Sequence, residues 1–381
     1  SFANYSQYLW DEHKFGIDEA DYQAIGEADG YFASAQQSGY HDLIWFEYPD
    51  KEAMFDGHSY NKGGRILHML RNYIGDEAFF TALQNYLKTN AYKPAEFTQL
   101  RVAFEEVCGE DLNWFFNQWY LDKGHPTLKV DYTMTNSGQS ISVLVEQKQT
   151  EEFRVFKLPV DITIFDDRGA TTHRAWVDET AESLDFEVVG TVKNVIFDSK
   201  AMLLAKINET KDPSWYIHQY YNGPKRYLHR KQALQFGLKN KTAEAEQLII
   251  DALADPFWEI RSNAIEKVSR LSAENKTKAL EIVKGMAVND PNSAVRTSAI
   301  TLLATQLSST DASTLLEERV KTDRSYTVVT TALNNLSKID VSKAMALAKP
   351  LEAEKSSKML SGISALYAKN GKAENYSFYE N

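Results

Sequence analysis

The hydrophobic period changes twice along the 381 residues, from helical to alternating and back to helical. No one-class fold accommodates that pattern, so the chain is read as mainly α with a β-sandwich domain between two helical parts. Up to about residue 124 apolar side chains recur at spacings of three and four: Phe2, Tyr5, Leu9 and Trp10, then Ile66, Leu67, Leu70 and Ile74 before Gly75. Phe79, Phe80, Leu83, Tyr86 and Leu87 follow, then Phe97, Leu100, Phe104 and Val107 before Gly109, and Leu112, Phe115, Phe116 and Trp119. Gly75 and Gly109 read as helix stops, and Thr98 and Asp111 as caps. Core packing accounts for nearly all of these residues.

Over residues 125–207 the period drops to two. Leu128, Val130 and Tyr132 alternate with polar residues, as do Ile141, Val143 and Val145, with a turn at Asn136-Ser137-Gly138. Further short strands are expected near 156–164, 172–177, 184–188 and 194–197, with a turn at Asp166-Asp167-Arg168-Gly169. Short strands at this spacing predict an antiparallel sandwich with no catalytic cluster.

From residue 208 helical patterning returns, with an internal repeat. Asp255-Pro256 precedes Ile260-Arg261 and Ala264; Asp290-Pro291 precedes Val295-Arg296 and Ala299 at the same offsets. Arg230 with Ala233, and Asp323 with Val328 and Ala332, are weaker copies. Asp as a helix cap, Pro in the first turn and a small Ala where helices meet predict stacked HEAT or armadillo-like repeats. Three domains are therefore expected, over 1–124, 125–207 and 208–381, in line with a chain too long for one core.

A net charge of −11 argues against a nucleic-acid partner, since phosphate binding needs a basic face. One cysteine, Cys108, leaves no internal disulfide and no cysteine-based metal site. No apolar run reaches the ~18 residues of a membrane span. The opening Ser1-Phe2-Ala3-Asn4-Tyr5 lacks signal-peptide character and starts in mid-pattern, so it is read as a cut end that leaves the compartment open.

The stretch Ser59-Tyr60-Asn61-Lys62-Gly63-Gly64-Arg65-Ile66-Leu67 resembles the Tyr-Glu-Lys-Gly-Ala segment of the aminopeptidase N family of zinc peptidases, the gluzincins. Leu70, Ile74-Gly75, Phe79-Phe80, Leu83, Tyr86-Leu87, Phe115-Phe116-Asn117-Gln118-Trp119 and Gly124-His125-Pro126 extend the resemblance, and Ser1–Tyr5 is similar to the stretch after the family's third zinc ligand, a Glu. The domain order also matches the family's. The resemblance implies a zinc-dependent aminopeptidase that removes N-terminal residues from peptides, of which this chain is the C-terminal part. It implies that Tyr60 is catalytic, its phenol donating a hydrogen bond to the oxyanion at the scissile carbonyl without competing for the metal. Lys62 is expected to be a structural pair or solvated, and Gly63-Gly64 to allow close helix packing. Asn61 departs from the family's Glu. The resemblance further implies that the helical repeats cap the active-site cleft.

The eight histidines are His13, His41, His58, His68, His125, His173, His218 and His229, and none forms H-E-x-x-H. His58 and His68 flank Tyr60 at ten residues apart, which is not ligand spacing. No metal ligand and no cofactor-binding residue is therefore assigned to this chain, whose zinc would belong to the longer parent, and the chain alone is expected to be inactive. Two alternatives stay open: a non-catalytic aminopeptidase-like scaffold, and a helical-repeat module that binds protein on its concave face.

Overall fold

Five glycines with positive φ (Gly16, Gly39, Gly75, Gly109 and Gly124) punctuate the first 124 residues, and they separate the helices there. The computed structural model describes residues 2–371 and 373–380; Ser1 of the opening motif and Asn381 of the third region lie outside them. The helices are α1 (Phe2–Phe15), α2 (Ile17–Ser38), α3 (Gly63–Ile74), α4 (Asp76–Thr89), α5 (Phe97–Cys108) and α6 (Asn113–Trp119). Part of each expected stripe turns inward: Tyr5 on α1, Ile66, Leu67 and Leu70 on α3, Phe79 on α4, Leu100 and Phe104 on α5; Trp10, Phe80 and Leu87 stand exposed instead, and Tyr8, outside the expected stripe, is buried. Helix α2 instead buries Ala20, Ala24 and Ala35 beside Tyr31, small side chains that let neighbours approach.

Two cap readings are corrected. Glu96, not Thr98, caps α5, because Gln99 returns a bond to the Glu96 N–H and closes a capping box two residues earlier. Asp111 does accept the N–H of Asn113 at 2.7 Å, one residue outside the position that Leu112 occupies at the start of α6.

Seven strands follow: β1 (Thr127–Thr135), β2 (Ser140–Gln147), β3 (Leu158–Asp166), β4 (Gly169–Val177), β5 (Ala181–Glu187), β6 (Asn194–Ile196) and β7 (Lys206–Thr210). They form sheets of order β5-β2-β1-β7 and β4-β3-β6. The three residues Asn136, Ser137 and Gly138 all take positive φ to make the β1–β2 turn. The sandwich is antiparallel except at one edge, where β7 pairs parallel with β1 from Thr127↔Lys206 to Asp131↔Thr210. Inward residues of both sheets, Val130 and Val143 on one and Val160 and Ile162 on the other, share a single core with Tyr8, Leu67 and Trp119 of the helices. Gln118 on α6 clamps the junction, donating to the Lys157 carbonyl and accepting its N–H at 2.8 and 2.9 Å.

The chain divides into two compact units between Gln232 and Ala233, not at 207/208. The physical reason is that residues 206–232 are tied back into the first unit. β7 is a strand of its sheet, and Asp212 caps α7 (Pro213–Asn222) with Pro213 in its first turn. Arg226 forks onto Asp21 at 2.8 and 2.5 Å, and Arg230 donates to Asp18 at 2.7 Å. Helix α8 (Tyr227–Phe236) spans the division.

The second unit carries α9 (Ala243–Ala252), α10 (Trp258–Lys267), α11 (Ala273–Asn289), α12 (Ser293–Gln306), α13 (Ser309–Thr322), α14 (Tyr326–Leu336), α15 (Val341–Ala348) and α16 (Ser357–Asn370). Ala264, Ala299 and Ala332 are fully buried, as are Ile260, Val295 and Val328. The repeating Asp plays a different part from the one its position suggested. Asp255, Asp290 and Asp323 each accept the N–H two residues on, ahead of the helix, and Phe257, Asn292 and Ser325 occupy the cap positions. Pro256 and Pro291 consequently lie before the first turn. The Asp carboxylates are held for the repeating Arg of the preceding copy: Arg261 forks onto Asp290 with both bonds at 2.8 Å, and Arg296 onto Asp323 at 2.7 and 2.8 Å.

Candidate functional site

Between α2 and α3 the chain runs without regular structure from Gly39, through one 3₁₀ turn at Lys51–Met54, to a single π-helical turn, His58–Lys62. That turn is built on Asp56 and Gly57. The Gly57 carbonyl accepts both Asn61 N–H at 3.1 Å and Lys62 N–H at 2.9 Å. The widened turn holds more residues than an α-turn, so it rotates successive side chains by less. His58 and Lys62 point inward with no exposed surface, while Tyr60 between them is 40% exposed.

Close packing fixes this turn. A Cβ at Gly57 would stand 2.7 Å from Ser34 Cβ on α2, and one at Gly30 would stand 2.5 Å from Asn61 Nδ2. Asn61 thus packs against the α2 backbone. Gly64 similarly admits Asn4 of α1, whose amide donates to Glu27 at 2.9 Å. The Tyr60 ring has Phe55 6.3 Å away, centroid to centroid.

Lys62 is neither solvated nor in a direct ion pair. Its ammonium donates to the Asp122 carbonyl at 3.3 Å and lies 5.8 Å from the Tyr31 ring centroid. Burial pulls its pKa down to about 8, against the opposing pull of the Asp42 and Asp122 carboxylates. Tyr31 donates to the Gly124 carbonyl at 3.1 Å and lies 3.3 Å from His125 Nδ1, whose ring burial holds at a pKa of about 3.

The structure gives His58 and His68 separate environments. His68, on α3, sits between Tyr5, 3.4 Å from its Nδ1, and Asn72, 3.1 Å from its Nε2. His58 instead meets His41 and Asp56. One oxygen of Asp56, Oδ2, lies 2.7 Å from His58 Nδ1 and 2.8 Å from His41 Nε2. The other, Oδ1, accepts the N–H groups of His58 and Ser59 at 3.1 and 3.0 Å. Burial favours the neutral Asp56, but the bonds from Ser59, His41 and His58 outweigh it and hold the carboxyl below its ordinary value. His58 is held neutral down to about pH 4, chiefly by burial and then by the neighbouring His41. Among the described residues His41, Asp56 and His58 are a set of metal-ligand type whose donor atoms lie within 4.8 Å of one another. Spacing alone assigns them no such role: Asp56-Gly57-His58 is a visible pair, but the loop conformation that returns His41 to it leaves no periodic trace.

A helical domain that presents an exposed tyrosine on a turn is followed by a β-sandwich and then by helical repeats. Residues 1–119 match the peptidase family M1 domain, and residues 245–337 match HEAT repeats. Over its first 119 residues the chain is similar to the aminopeptidase N family of metallopeptidases, enzymes that in general carry zinc. It is 38% identical over 92 residues to a glutamyl aminopeptidase of Bitis rhinoceros, covering 24% of this chain and 10% of that protein. A leucyl aminopeptidase of Saccharolobus solfataricus is 32% identical over 116 residues, or 30% of this chain and 14% of the relative. The tricorn protease-interacting factor F2 of Thermoplasma volcanium is 37% identical over 100 residues, 26% and 12% of the two chains. In fold the chain is similar to Legionella pneumophila aminopeptidase A, solved with aspartic acid, with a TM-score of 0.71 at 13% identity. That match covers 96% of this chain and 48% of the other. The chain thus spans about half the length of the solved enzyme whose fold it shares. No helix of the described residues is long and apolar enough to cross a membrane.

Proposed function

We propose that residues 1–119 form one wall of an aminopeptidase substrate site, in which the Tyr60 hydroxyl donates a hydrogen bond to the oxyanion of the reacting amide. The observation that carries this is the position of Tyr60. It stands half-exposed on the π turn, inside the stretch that matches the M1 domain, while both inward-facing neighbours are buried. A phenol there is a suitable donor: it keeps its proton at neutral pH and is not a metal ligand of choice. The substrates are peptides with a free amino terminus.

When bound, the family's zinc would polarise the amide carbonyl and supply a reactive water. The H-E-x-x-H segment that would hold it does not occur in these 381 residues. His41, Asp56 and His58 have neither its spacing nor its helical setting, so no part of the role proposed for Tyr60 runs through them. By itself this chain should release no amino acid from aminoacyl anilides.

Tyr60→Phe in a longer form that carries H-E-x-x-H is the decisive variant. Loss of one oxyanion donor should lower kcat by ~10²–10³ and leave substrate binding and zinc content nearly unchanged. A Tyr60→Phe enzyme with kcat within a few-fold of its parent would end the proposal.

A further inference from the structure

We propose that His41, Asp56 and His58 are ligands of a divalent first-row metal ion of the zinc type. The inference does not depend on the role proposed for Tyr60.

The donor atoms converge. His58 Nδ1 and His41 Nε2 both aim at the same carboxylate oxygen, Asp56 Oδ2, from 2.7 and 2.8 Å. An ordinary histidine–carboxylate pair needs only one imidazole. The far nitrogen of His41 is already committed, because its Nδ1–H donates to the Asp42 carbonyl at 2.7 Å. That bond is the partner that fixes the tautomer of a ligating histidine, since it leaves the lone pair on Nε2. A neutral His41 therefore points a lone pair at a carboxylate oxygen. Two such atoms at 2.8 Å call for a cation between them. A proton answers for His41 alone, by making it an imidazolium; a metal ion answers for His41, Asp56 and His58 together.

The side chains are also set in place without the ion. Trp45 stacks on the His41 ring at 4.0 Å and 16°, His41 lies on His58 at 3.8 Å, and Tyr31 meets the edge of His58 at 5.2 Å. Asp56 is oriented by the two backbone N–H groups on its other oxygen. Ligand bonds of ~2.0–2.2 Å in a tetrahedron separate donor atoms by roughly 3.3–3.5 Å, so the set must open by about 0.6 Å. His41 can supply that movement, because it lies in the irregular stretch before the π turn rather than on a helix.

The donor chemistry selects the ion. Two imidazoles and one carboxylate suit zinc and its first-row neighbours, whereas magnesium and calcium take all-oxygen shells. His58 is wholly buried, but the His41 and Asp56 side chains keep 12% and 17% of their surface exposed. That leaves a solvent-facing side for a fourth ligand, water or a substrate group.

The test uses the 381-residue chain without a histidine tag, stripped by chelator and dialysed against zinc, with elemental analysis and calorimetry as readouts. One zinc per chain is expected, and cobalt in its place should give the visible bands of a four-coordinate centre. His41→Gln and His58→Gln should each weaken zinc binding by more than about 100-fold. His173→Gln on β4 should leave it unchanged. Far-ultraviolet circular dichroism establishes that each variant is folded, and His41, on a loop, is the one least able to disturb the core. A folded chain that takes up no stoichiometric zinc, or one whose affinity survives His41→Gln, overturns the proposal and leaves a proton-bridged imidazolium–carboxylate cluster.

Discussion

Polar residues are buried in both units, but they are paired in different ways. In the repeat unit Arg261 and Arg296 do the same thing one copy apart. Each forks onto the Asp of the next copy and donates to the backbone carbonyls of its own Asp and Pro. In the first unit the buried polar groups have partners that do not recur: Lys62 with the Asp122 carbonyl, Arg226 with Asp21, His229 with the Ser199 carbonyl. Repetition makes an interaction legible, because a second copy at the same offsets reports the first. A unique long-range pair carries no such echo, and chemistry concentrates where the pairs are unique.

The largest effect that would break this contrast is loss of one rung. Arg296→Ala leaves the Asp323 carboxylate, whose side chain is only 3% exposed, with the Ser325 N–H as its remaining hydrogen bond. Stranding a buried charge usually costs ~3–5 kcal/mol. Arg261→Ala strands Asp290 in the same way and should cost about as much in urea unfolding followed by circular dichroism. Unequal losses would show that the two copies are alike in pattern but not in energy.

A pH titration probes the other side. His229 is buried, and its pKa falls from the ordinary 6.5 to about 4, because burial opposes the charged ring more than the Ser199 carbonyl favours it. The unfolded chain therefore takes a proton below pH 6.5 that the folded chain refuses until about pH 4. Stability drops as pH falls through that window and levels off beneath it, by ~3 kcal/mol from this group. His229→Gln should be less stable than the parent at pH 7 and lose less on acidification. A parent and variant with parallel pH profiles would remove His229 from the account.

The smallest effect tests the helix contacts of the repeat. Ala299→Leu places three more carbons where Ala299 has no exposed surface, and overpacking there should cost ~1–3 kcal/mol. Ala264→Leu one copy earlier should match it within experimental spread, as measured by the shift in urea midpoint. A neutral Ala299→Leu would mean that the helices have room the buried alanine does not reveal.

Much of the fold is readable in the sequence. The inward stripes of α3 and α5, the inward part of those on α1 and α4, the β1–β2 turn and the repeat at 255 and 290 follow from local periodicity, and local periodicity is what sequence records; Trp10, Phe80 and Leu87 fit the period yet stand exposed. The misreadings have one cause. Thr98 was a good cap in isolation, but Glu96 and Gln99 closed a better-bonded turn just upstream. The period changes at 207/208, yet β7 crosses that point to pair with β1, and Arg226 and Arg230 reach back to α2. Each outcome turned on a partner outside the local pattern.

The same division holds at the site. Sequence by itself determined that Tyr60 belongs to a motif with a glycine pair behind it and a helix beyond, because those features are contiguous. Tertiary structure decided that the turn is π-helical, that Tyr60 is exposed while His58 and Lys62 are buried, and that His41 meets Asp56. The π turn needs Gly57 and Gly30 to admit Ser34 and Asn61 at close range. The histidine pair needs the irregular stretch after Gly39 to bring Asp56 and His58 back to His41. Contacts of that kind depend on where two surfaces come to rest, and a linear pattern of residue types does not encode it.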